Sequence, residues 1–367
     1  MENDSDNKIK IAIFGGSGYG GSELLRILLF HPNADIVLVT ANEHAGKQVS
    51  DVHKNLLGLT DLAFEKAPDD PATLKEIDIA FFALPHGQAL GLIPQLPENV
   101  KVIDLSGDFR IDDKDVFQKF YNIEHTADEL QKKFEYGLTE TNREKIADAQ
   151  YIANPGCFAT ATLLALAPLI AHGRNATVRK RADGDKRSSL SPKLKGKIIV
   201  DAKTGSSGSG AKAAANTHHP ERMNSFYAYK PFTHQHVPEI EQHLSEVGKF
   251  KSDLVFMTHS LPVARGIFAS CYMGTEEEIP TAALKEIYES FYRDSFFVRI
   301  VENSPNINWV KNTNFCDIAV HANGRNIAVF SAIDNLVKGA AGQAVQNMNL
   351  MHGLDEKTGL VLTGSNP

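Results

Sequence analysis

One cysteine of this chain stands where a protein would hold a nucleophile. Cys157 follows Pro155 and Gly156 in "NPGCFATATLLALAPL", so that a turn precedes it and an apolar run of helical length follows it. A cysteine reacts as its thiolate, which the dipole and the unsatisfied N–H groups of a helix N-terminus stabilise. The same N–H groups can receive an oxyanion. The stretch alone leaves two interpretations open, a catalytic thiol and a small packed residue.

The other two cysteines do not invite the same question. Cys271 in "IFASCYM" and Cys316 in "NFCDIAV" lie inside apolar strand patterns, which predict burial. Three widely spaced cysteines without a CxxC pair indicate neither a disulfide framework nor a zinc site. A special cysteine in this chain must therefore act alone.

Two histidines stand two residues apart in "FTHQHVPEIEQ", and either His234 or His236 would serve as the acid or base that a thiolate enzyme needs. The same pair would suit a metal, but no cysteine or carboxylate completes a familiar ligand spacing, so no metal is predicted. His218 and His219 stand beside Pro220 in a polar loop, which predicts a surface position.

Two arginines are placed to bind an anion, because a guanidinium grips a carboxylate or phosphate through paired N–H groups. Arg110 follows "VIDLSGDF" at the end of a predicted strand, where ligands of α/β folds bind. Arg265 stands in "SLPVARGIF", between two strand-like runs. For each arginine a structural ion pair is an equally open interpretation.

A glycine cluster in "IFGGSGYGGSELL" places Gly15, Gly18 and Gly21 at a GxxGxxG spacing between a strand pattern and a helical pattern. Glycines there let the main chain approach a pyrophosphate, whose charge the helix N-terminus favours. The position at the first strand favours a dinucleotide site over an ordinary βα turn. After the second strand, Asn42 and Glu43 stand where acidic residues favour NAD and basic ones NADP, so that choice stays open.

The elements that must position these residues begin with a predicted parallel sheet. The strand "KIAIF", the helix "SELLRILLFHP" and the strand "DIVLVT" form one βαβ unit. Further strand patterns follow at 78–84 and 102–106, with helical or loop stretches between them. The apolar run after Cys157 predicts a helix with Pro168 near its end.

The second half of the chain predicts a mixed or antiparallel sheet, because its strand patterns lack a helix between every pair. These patterns are "IIVDAK", "DLVFMTHSLPV", "IFASCYM", "FFVRIV", "DIAVHA" and "NIAVFSAI". The last stretch, "DNLVKGAAGQAVQNMNLMHG", predicts a closing amphipathic helix. Residues 179–197 are basic, serine-rich and nearly free of apolar side chains, which favours a solvated loop over a nucleic-acid or partner surface.

Composition narrows the class of protein. The 367 residues, 42% of them hydrophobic, provide for a sizeable core and favour two domains over one. Lys and Arg number 38 against 45 Asp and Glu, and a net charge of -7 attracts neither nucleic acid nor an anionic membrane. The chain shows no leader pattern and no apolar run of membrane-spanning length, so a cytoplasmic location is expected.

Taken together, the motifs resemble the N-acetyl-gamma-glutamyl-phosphate reductase family of arginine biosynthesis over nearly the whole chain. They occur in that family's order and approximate spacing: "GGSGYGGSELLRIL", "VIDLSGDFR", "YGLTE", "NPGCFATATLLALAPL", "TGSSGSGAK", "FTHQHVPEIEQ", "LPVARGIF", "FCDIAV" and "DNLVKGAAGQAVQNMN". More distantly, the pattern is similar to aspartate-semialdehyde dehydrogenase and to the phosphorylating glyceraldehyde dehydrogenases.

The resemblance implies an α/β Rossmann-type dinucleotide-binding domain formed by residues 1–156 and 332–367. Residues 157–331 would then form an α+β catalytic and dimerisation domain with a mixed β-sheet. It also implies NADPH as the hydride donor, a small acyl-phosphate substrate and a homodimer or homotetramer.

Site residues follow from the resemblance motif by motif. Cys157 would be the nucleophile, and His236 or His234 the acid and base. Arg110 and Arg265 would bind the anionic groups of the substrate. The pyrophosphate would lie on the first loop and the nicotinamide near a later turn, through Gly15, Ser17, Gly18, Tyr19 and Gly21 and through Asn335, Lys338 and Gly339.

Two departures from the family pattern stand out. Ala41 and Asn42 stand where many members carry Ser-Arg or similar residues, which leaves the contact to a 2′-phosphate open. The basic segment at 179–197 is an insertion relative to shorter members, and no function is assigned to it.

The sequence bears on three other functions. Aspartate-semialdehyde dehydrogenases place their catalytic histidine shortly after the second substrate arginine, but "ARGIFASCYM" offers none. A reductase of a carrier-protein-bound aminoadipyl phosphate would use the basic segment against an acidic carrier. A dinucleotide-sensing binding module would have no reason to keep Cys157 reactive.

Overall fold

The computed structural model describes residues 8–175, 192–248 and 253–365. These residues divide into two compact units. The first unit runs to Gly156 and also takes Ser209–Lys212 and Leu336–Leu362, while the second takes Cys157–Gly208, Ala213–Asn335 and the chain from Thr363. The sequence placed the return to the first domain at residue 332. In the structure that return begins at Leu336, because residues 332 and 333 end a strand of the second unit.

A six-stranded parallel sheet forms the centre of the first unit, with the strand order β2-β1-β3-β4-β6-β5. Its strands are nearly continuous apolar runs because helices and loops cover both faces of a parallel sheet. All four residues of β3, for example, are buried. The strands are β1 Ile9–Phe14, β2 Ala34–Thr40, β3 Ile79–Phe82, β4 Lys101–Asp104, β5 Phe134–Tyr136 and β6 Tyr151–Ala153.

The strand order creates a switch point in this sheet. The chain leaves β1 toward β2 on one side and leaves β3 toward β4 on the other, so a crevice opens at the carboxyl ends of β1 and β3. The helices around the sheet are α1 Tyr19–Leu28, α2 Val49–Val52, α3 Ala89–Leu92, α4 Lys114–Tyr121, α5 Asp128–Gln131 and α6 Thr139–Asp148.

A seven-stranded mixed sheet forms the second unit, with the order β11-β12-β13-β10-β7-β9-β8. The β11/β12 and β7/β9 pairs are parallel and the other four pairs are antiparallel. The predicted mixed sheet is therefore confirmed. Its strands are β7 Leu194–Thr204, β8 Tyr227–Tyr229, β9 Leu254–Ser260, β10 Ile267–Thr275, β11 Val298–Ile300, β12 Cys316–Asn323 and β13 Asn326–Ile333.

The described part of the second unit contains five helices: α7 Cys157–Asn175, α8 His219–Arg222, α9 His236–Gly248, α10 Thr281–Phe291 and α11 Ile307–Val310. The first of them, α7, lies on one face of the sheet, where the Ser331 hydroxyl of β13 donates to the carbonyl of Ala161 at 2.8 Å. Most of the basic segment at 179–197 lies outside the described residues, and its last four residues begin β7.

Helix α7 continues seven residues past Pro168, which the sequence placed near its end. Proline lacks the N–H that would bond the carbonyl four residues earlier. That carbonyl belongs to Leu164 and accepts from the Tyr292 hydroxyl at 2.5 Å, and the Tyr288 hydroxyl donates to the next carbonyl, of Ala165, at 2.5 Å. Tertiary contacts thus compensate for the hydrogen bond that the proline cannot make.

No helix in the described ranges is long and apolar enough to cross a membrane.

The chain ends its main path back in the first unit. A π-helical turn at Val337–Ala341 leads into α12, Gly342–Met351. The predicted amphipathic helix is wrong for this segment, since nine of the ten α12 residues are buried. Its amides bond main-chain groups instead of water: the Gln343 and Asn347 side chains both donate to the carbonyl of Gly137, at 3.0 and 2.8 Å.

Candidate active site

The glycine loop of the first unit fills the turn between β1 and α1 at the switch point. The N–H groups of Gly15 and Gly16 donate to the carbonyl of Thr40 at the end of β2, at 3.2 and 2.8 Å. Helix α1 then starts at Tyr19 without a side-chain cap among the described residues. Its first N–H groups are therefore left for a ligand, and the helix dipole favours an anion there.

The three glycines of the GxxGxxG pattern differ in what the fold demands of them. Gly15 has φ +86°, and a Cβ there would lie 2.4 Å from the carbonyl oxygen of Ala83. A Cβ on Gly21 would lie 2.4 Å from the carbonyl oxygen of Gly15. A Cβ on Gly18 would meet nothing closer than 3.8 Å among the described residues. Packing thus requires Gly15 and Gly21, whereas Gly18 leaves room that a phosphate group can use.

The loop after β2 carries the residues that bear on the choice of dinucleotide. Asn42 and Glu43 are exposed in a short 3₁₀ turn, and the preceding Ala41 is buried. Within the loop itself Ser17 is half-buried and Tyr19 is exposed. An exposed carboxylate beside a ribose site favours the free ribose hydroxyls of NAD over the 2′-phosphate of NADP.

A buried acidic cluster follows β4 and holds the loops at this edge of the sheet. The Asp108 carboxylate accepts from the N–H of Gly87 at 2.7 Å and of Ala89 at 3.2 Å. Asp104 accepts from the Ser106 hydroxyl at 2.7 Å. Burial, followed by the negative charge of Asp108, raises the pKa of Asp104 to about 7. Burial also raises the pKa of Asp108.

Arg110, the first predicted anion-binding arginine, lies buried beside this cluster. Its Nε donates to the carbonyl of Asn154 at 2.8 Å and its Nη2 to the carbonyl of Leu105 at 2.7 Å. The guanidinium thus connects the ends of β4 and β6. A role in substrate binding stays a prediction.

Lys338 is completely buried, so its ammonium does not face a surface of the first unit. The Nζ atom lies 2.7 Å from the Glu140 carboxylate and 2.8 Å from the Gln346 amide oxygen. This buried ion pair binds the returning chain to α6. Any part of Lys338 or Gly339 in holding a nicotinamide therefore falls to the main chain rather than to the ammonium.

In the second unit, Cys157 is the first residue of the 19-residue helix α7, and its side chain is half-buried. Cys271 and Cys316 are completely buried in strands, and burial raises the pKa of Cys271 to about 12. The three thiols thus differ as the sequence predicts. Cys157 alone of them combines access with a helix N-terminus, the environment that stabilises a thiolate.

The two predicted histidines lie beside the first turn of α7. The ring of Phe158, the residue after Cys157, contacts the rings of His234 and His236 edge-on at centroid distances of 5.2 and 6.1 Å. The two histidine rings are 4.7 Å apart. The structure therefore brings the nucleophile candidate and both proton-transfer candidates into one region of the second unit.

The two histidines are not equivalent. Nδ1 of His234 accepts from the N–H of His236 at 3.2 Å, so His234 caps the start of α9. Burial, with the charges of His236 and Lys230, lowers the pKa of His234 to about 2. A ring that stays neutral and caps a helix is poorly suited to donate a proton. His236, the first residue of α9, does not have that duty.

Two residues of this region escaped sequence analysis. Tyr229 at the end of β8 lies 6.0 Å from His234, ring to ring. Burial and the negative charge of Cys157 raise its pKa. Glu239 is completely buried one turn after His236, and its charge acts on His234. The Glu in "HVPE", three residues after His236, could have indicated a carboxylate near the histidines. Tyr229 lies near them only because β8 pairs with β9, which the sequence does not indicate.

Arg265 and Asn335 hold the turns at one end of β10. Arg265 donates from Nε and Nη2 to both oxygens of the buried Asp334, at 3.0 Å each. Asn335 accepts from the N–H of Gly266 at 2.8 Å and donates to the Ser207 hydroxyl at 2.9 Å. Both residues have structural partners, and their contacts to substrate and nicotinamide stay predictions.

The remaining candidates are placed simply. His218 and His219 are exposed, as predicted. A third arginine, Arg222, is buried at the end of α8 and was not singled out from the sequence, because no strand or glycine pattern marks it. Among the described residues, no group of three or more His, Cys, Asp or Glu side chains is arranged to hold a metal ion.

Comparisons with known proteins cover both units. The semialdehyde dehydrogenase NAD binding domain matches residues 10–149, and the semialdehyde dehydrogenase dimerisation domain matches residues 187–335. Two relatives are called N-acetyl-gamma-glutamyl-phosphate reductase. That of Clostridium novyi is 41% identical over 96% of this chain and 98% of its own. That of Methanococcus maripaludis is 43% identical over 97% and 99%.

Solved structures agree on the fold. Aspartate semialdehyde dehydrogenase II of Vibrio cholerae matches 94% of this chain and 99% of its own with a TM-score of 0.69, at 17% identity. Aspartate semialdehyde dehydrogenase of Candida albicans, solved with NADP, matches 94% and 98% with a TM-score of 0.63, at 12% identity.

Proposed function

Since the chain belongs to the N-acetyl-gamma-glutamyl-phosphate reductase family, we propose that it reduces N-acetyl-gamma-glutamyl phosphate to N-acetylglutamate 5-semialdehyde in arginine biosynthesis. Identity above 40% over nearly the full length of both chains supports this substrate. The observation that carries the chemistry is the half-buried Cys157 at the start of α7, with the two histidines beside it.

The reaction begins at Cys157. Its thiolate attacks the carbonyl carbon of the acyl phosphate, the bond from that carbon to the phosphate oxygen breaks, and phosphate leaves with the electron pair. The product is a thioester on Cys157. During the attack the carbonyl oxygen becomes negative, and main-chain N–H groups at the start of α7 are the donors available to it.

The glycine loop of the first unit fits a dinucleotide, because Gly18 leaves open space beside uncapped N–H groups at the switch point. NADPH, when bound, supplies the hydride that reduces the thioester carbon. The carbonyl oxygen then needs a proton, which gives a thiohemiacetal on Cys157. Loss of that proton and cleavage of the C–S bond release the aldehyde and restore the thiolate.

His236 is proposed as the group that gives and takes this proton. It lies in the same cluster as His234, which the helix cap and its low pKa hold in the neutral form. Glu239, buried one turn later on α9, is proposed to keep His236 oriented. A histidine that exchanges a proton with the substrate must reach both forms near neutral pH.

NADP is proposed over NAD on the strength of the family, although the exposed Glu43 after β2 would suit NAD. The matched domain establishes a dinucleotide of the NAD(P) class. Steady-state kinetics with each reduced cofactor decide the preference. A cytoplasmic location remains part of the proposal.

The dimerisation domain indicates a homo-oligomer. We propose that the second copy covers the sheet face opposite α7, because this face exposes apolar side chains. Ile199 and Tyr272 are 43% and 41% exposed there, and the Phe330 ring contacts those of Phe268 and Tyr272 at 5.9 and 6.3 Å. Apolar surface of this kind is usually buried between subunits.

The reverse reaction tests the proposed function. N-acetylglutamate 5-semialdehyde, phosphate and NADP⁺ are mixed with the enzyme, and NADPH is followed by absorbance. We expect phosphate-dependent NADPH formation, which Cys157→Ser lowers at least about 10³-fold and the matched control Cys271→Ala retains. Turnover with aspartate semialdehyde in place of the N-acetylated aldehyde would assign the neighbouring activity. Equal turnover of Cys157→Ser and wild type would remove the nucleophile from the proposal.

A further inference from the structure

The arginines of the two units differ in their hydrogen-bond partners. Arg110 donates to main-chain carbonyls, and Arg265 donates to the carboxylate of Asp334. Arg222, with 7% of its surface exposed, donates from Nη2 to the carbonyl of Leu261. Its Nε and Nη1 are fully buried and have no hydrogen-bond partner within the described residues.

A guanidinium in this position calls for an anion. Arginine stays charged at every physiological pH, so burial cannot be relieved by loss of the proton. A buried charge with unmade hydrogen bonds is unfavourable, and an anionic oxygen is the partner that offsets the cost best. Arg222 therefore presents two donors that no described residue satisfies and that an anionic ligand would complement.

The position of Arg222 relates it to the reacting thiol. Its positive charge lowers the pKa of the Tyr229 hydroxyl, whereas burial and a negative charge on Cys157 raise it. The geometry agrees: Arg222 reaches the carbonyl of Leu261, which directly follows β9, and β9 pairs with β8, where Tyr229 lies beside His234. An anion held by Arg222 would lie in the region where the substrate carbonyl must meet the thiolate.

We propose that Arg222 is a substrate-binding residue whose Nε and Nη1 donate to anionic oxygens of the acyl-phosphate substrate. The inference rests on the proposed function, which supplies a substrate with two anionic groups, a carboxylate and a phosphoryl group. Both groups offer the oxygens that a guanidinium binds. They are told apart by kinetics, because in the reverse reaction the carboxylate arrives on the aldehyde and the phosphoryl group arrives as inorganic phosphate.

The test compares Arg222→Lys and Arg222→Gln with wild type in the reverse reaction, with Arg293→Gln, an exposed arginine of the same unit, as the control. We expect the KM for one anionic reactant to rise at least about tenfold in Arg222→Gln, and less in Arg222→Lys, which keeps the charge. A rise for the aldehyde assigns the carboxylate, and a rise for phosphate assigns the phosphoryl group. Unchanged KM values with a lowered kcat or melting temperature would overturn the inference and leave Arg222 as a support for Leu261.

A second measurement does not depend on turnover. Cys157 is alkylated with iodoacetamide in the presence of increasing inorganic phosphate or N-acetylglutamate, and the protected fraction is read by mass spectrometry. We expect protection in wild type and in Arg293→Gln, and a shift of its midpoint to at least about tenfold higher ligand in Arg222→Gln. If wild type forms no NADPH but the midpoint shifts in Arg222→Gln, the proposed function is wrong and the anion site stands. Equal midpoints in wild type and Arg222→Gln would refute the site, whatever the turnover.

Discussion

The glycine loop of the first unit and the cysteine–histidine cluster of the second unit are built from different parts of the chain. The loop offers main-chain N–H groups, and its chemistry depends on side chains being absent at Gly15, Gly18 and Gly21. The cluster offers side chains, Cys157, His234 and His236, that are buried or half-buried. The glycine loop depends on the absence of side chains, whereas the cluster depends on contacts between side chains.

This difference determines how each site responds to change. Main-chain N–H groups do not titrate, so the loop works alike at every moderate pH, but a single Cβ can destroy its shape. The cluster consists of side chains that can titrate, and burial already holds one of them, His234, in the neutral form by lowering its pKa to about 2. Substitutions can therefore separate the two sites cleanly.

Among the substitutions that separate the two sites, the histidines are expected to give the largest effect. His236→Asn should lower kcat about 10²- to 10⁴-fold, the usual contribution of a general acid or base, and should remove the pH dependence that this group imposes. His234→Asn should lower kcat less than about tenfold, because asparagine also caps helices and the neutral ring moves no proton. Stopped-flow measurement of NADPH formation across pH 5–9 checks both. Equal losses in the two variants would mean that the pair acts as one unit.

The glycines should respond next in size. Gly21→Ala forces a Cβ against Gly15 and should weaken NADP⁺ binding at least about tenfold and destabilise the protein by about 1–3 kcal/mol. A Cβ on Gly18 meets open space, so Gly18→Ala should leave the melting temperature unchanged. The same Cβ would occupy the space left for a phosphate group and should weaken NADP⁺ binding. Calorimetric titration and thermal melts measure the two effects. The alkylation rate of Cys157 should not change in either variant, and a slowed rate would contradict the separation of the two sites.

The smallest effect concerns the pH dependence of stability, through a buried carboxyl group of the first unit. The pKa of Asp104 is raised from 3.8 to about 7, so between these values the folded state binds a proton that the unfolded state lacks. Its contribution to stability is present below pH 3.8 and is lost as pH rises toward 7. Asp104→Asn should therefore gain stability relative to wild type, of order 1 kcal/mol, between pH 5 and pH 8 in urea unfolding. The exposed control Asp69→Asn should show no such gain. If the free energy of unfolding of Asp104→Asn changed with pH in parallel with that of wild type, the proton would bind to a group other than Asp104.

The glycine loop and the position of Cys157 could be predicted from the sequence because neighbouring residues determine them. A strand, a glycine spacing and a helix adjoin within 20 residues around Gly15, and Cys157 is followed directly by its helix. Strand and helix periods are local, so the α/β and mixed-sheet architecture followed too.

Other parts depend on contacts between distant segments. Tyr229 and Arg222 join the cluster through the pairing of β8 with β9 and the turn at Leu261, which no spacing announces. The last stretch predicted an amphipathic helix, but its Gln343 and Asn347 donate to the carbonyl of Gly137, more than 200 residues away. The side chain of Lys338 pairs with Glu140, almost 200 residues earlier in the chain, and its predicted place near the nicotinamide stays a prediction for the main chain.

The buried pair of Glu140 and Lys338 has a consequence for the order of events on the ribosome. Glu140 is made early, but its partner emerges only after residues 157–335 have been synthesised. At 5–20 residues per second this delay is about 10–40 s, during which a carboxylate meant for the interior has no counterion. The nascent first unit must therefore wait in an incomplete state, open to chaperones, and a truncated product that ends before Lys338 should be cleared by proteases rather than accumulate as a free nucleotide-binding fragment.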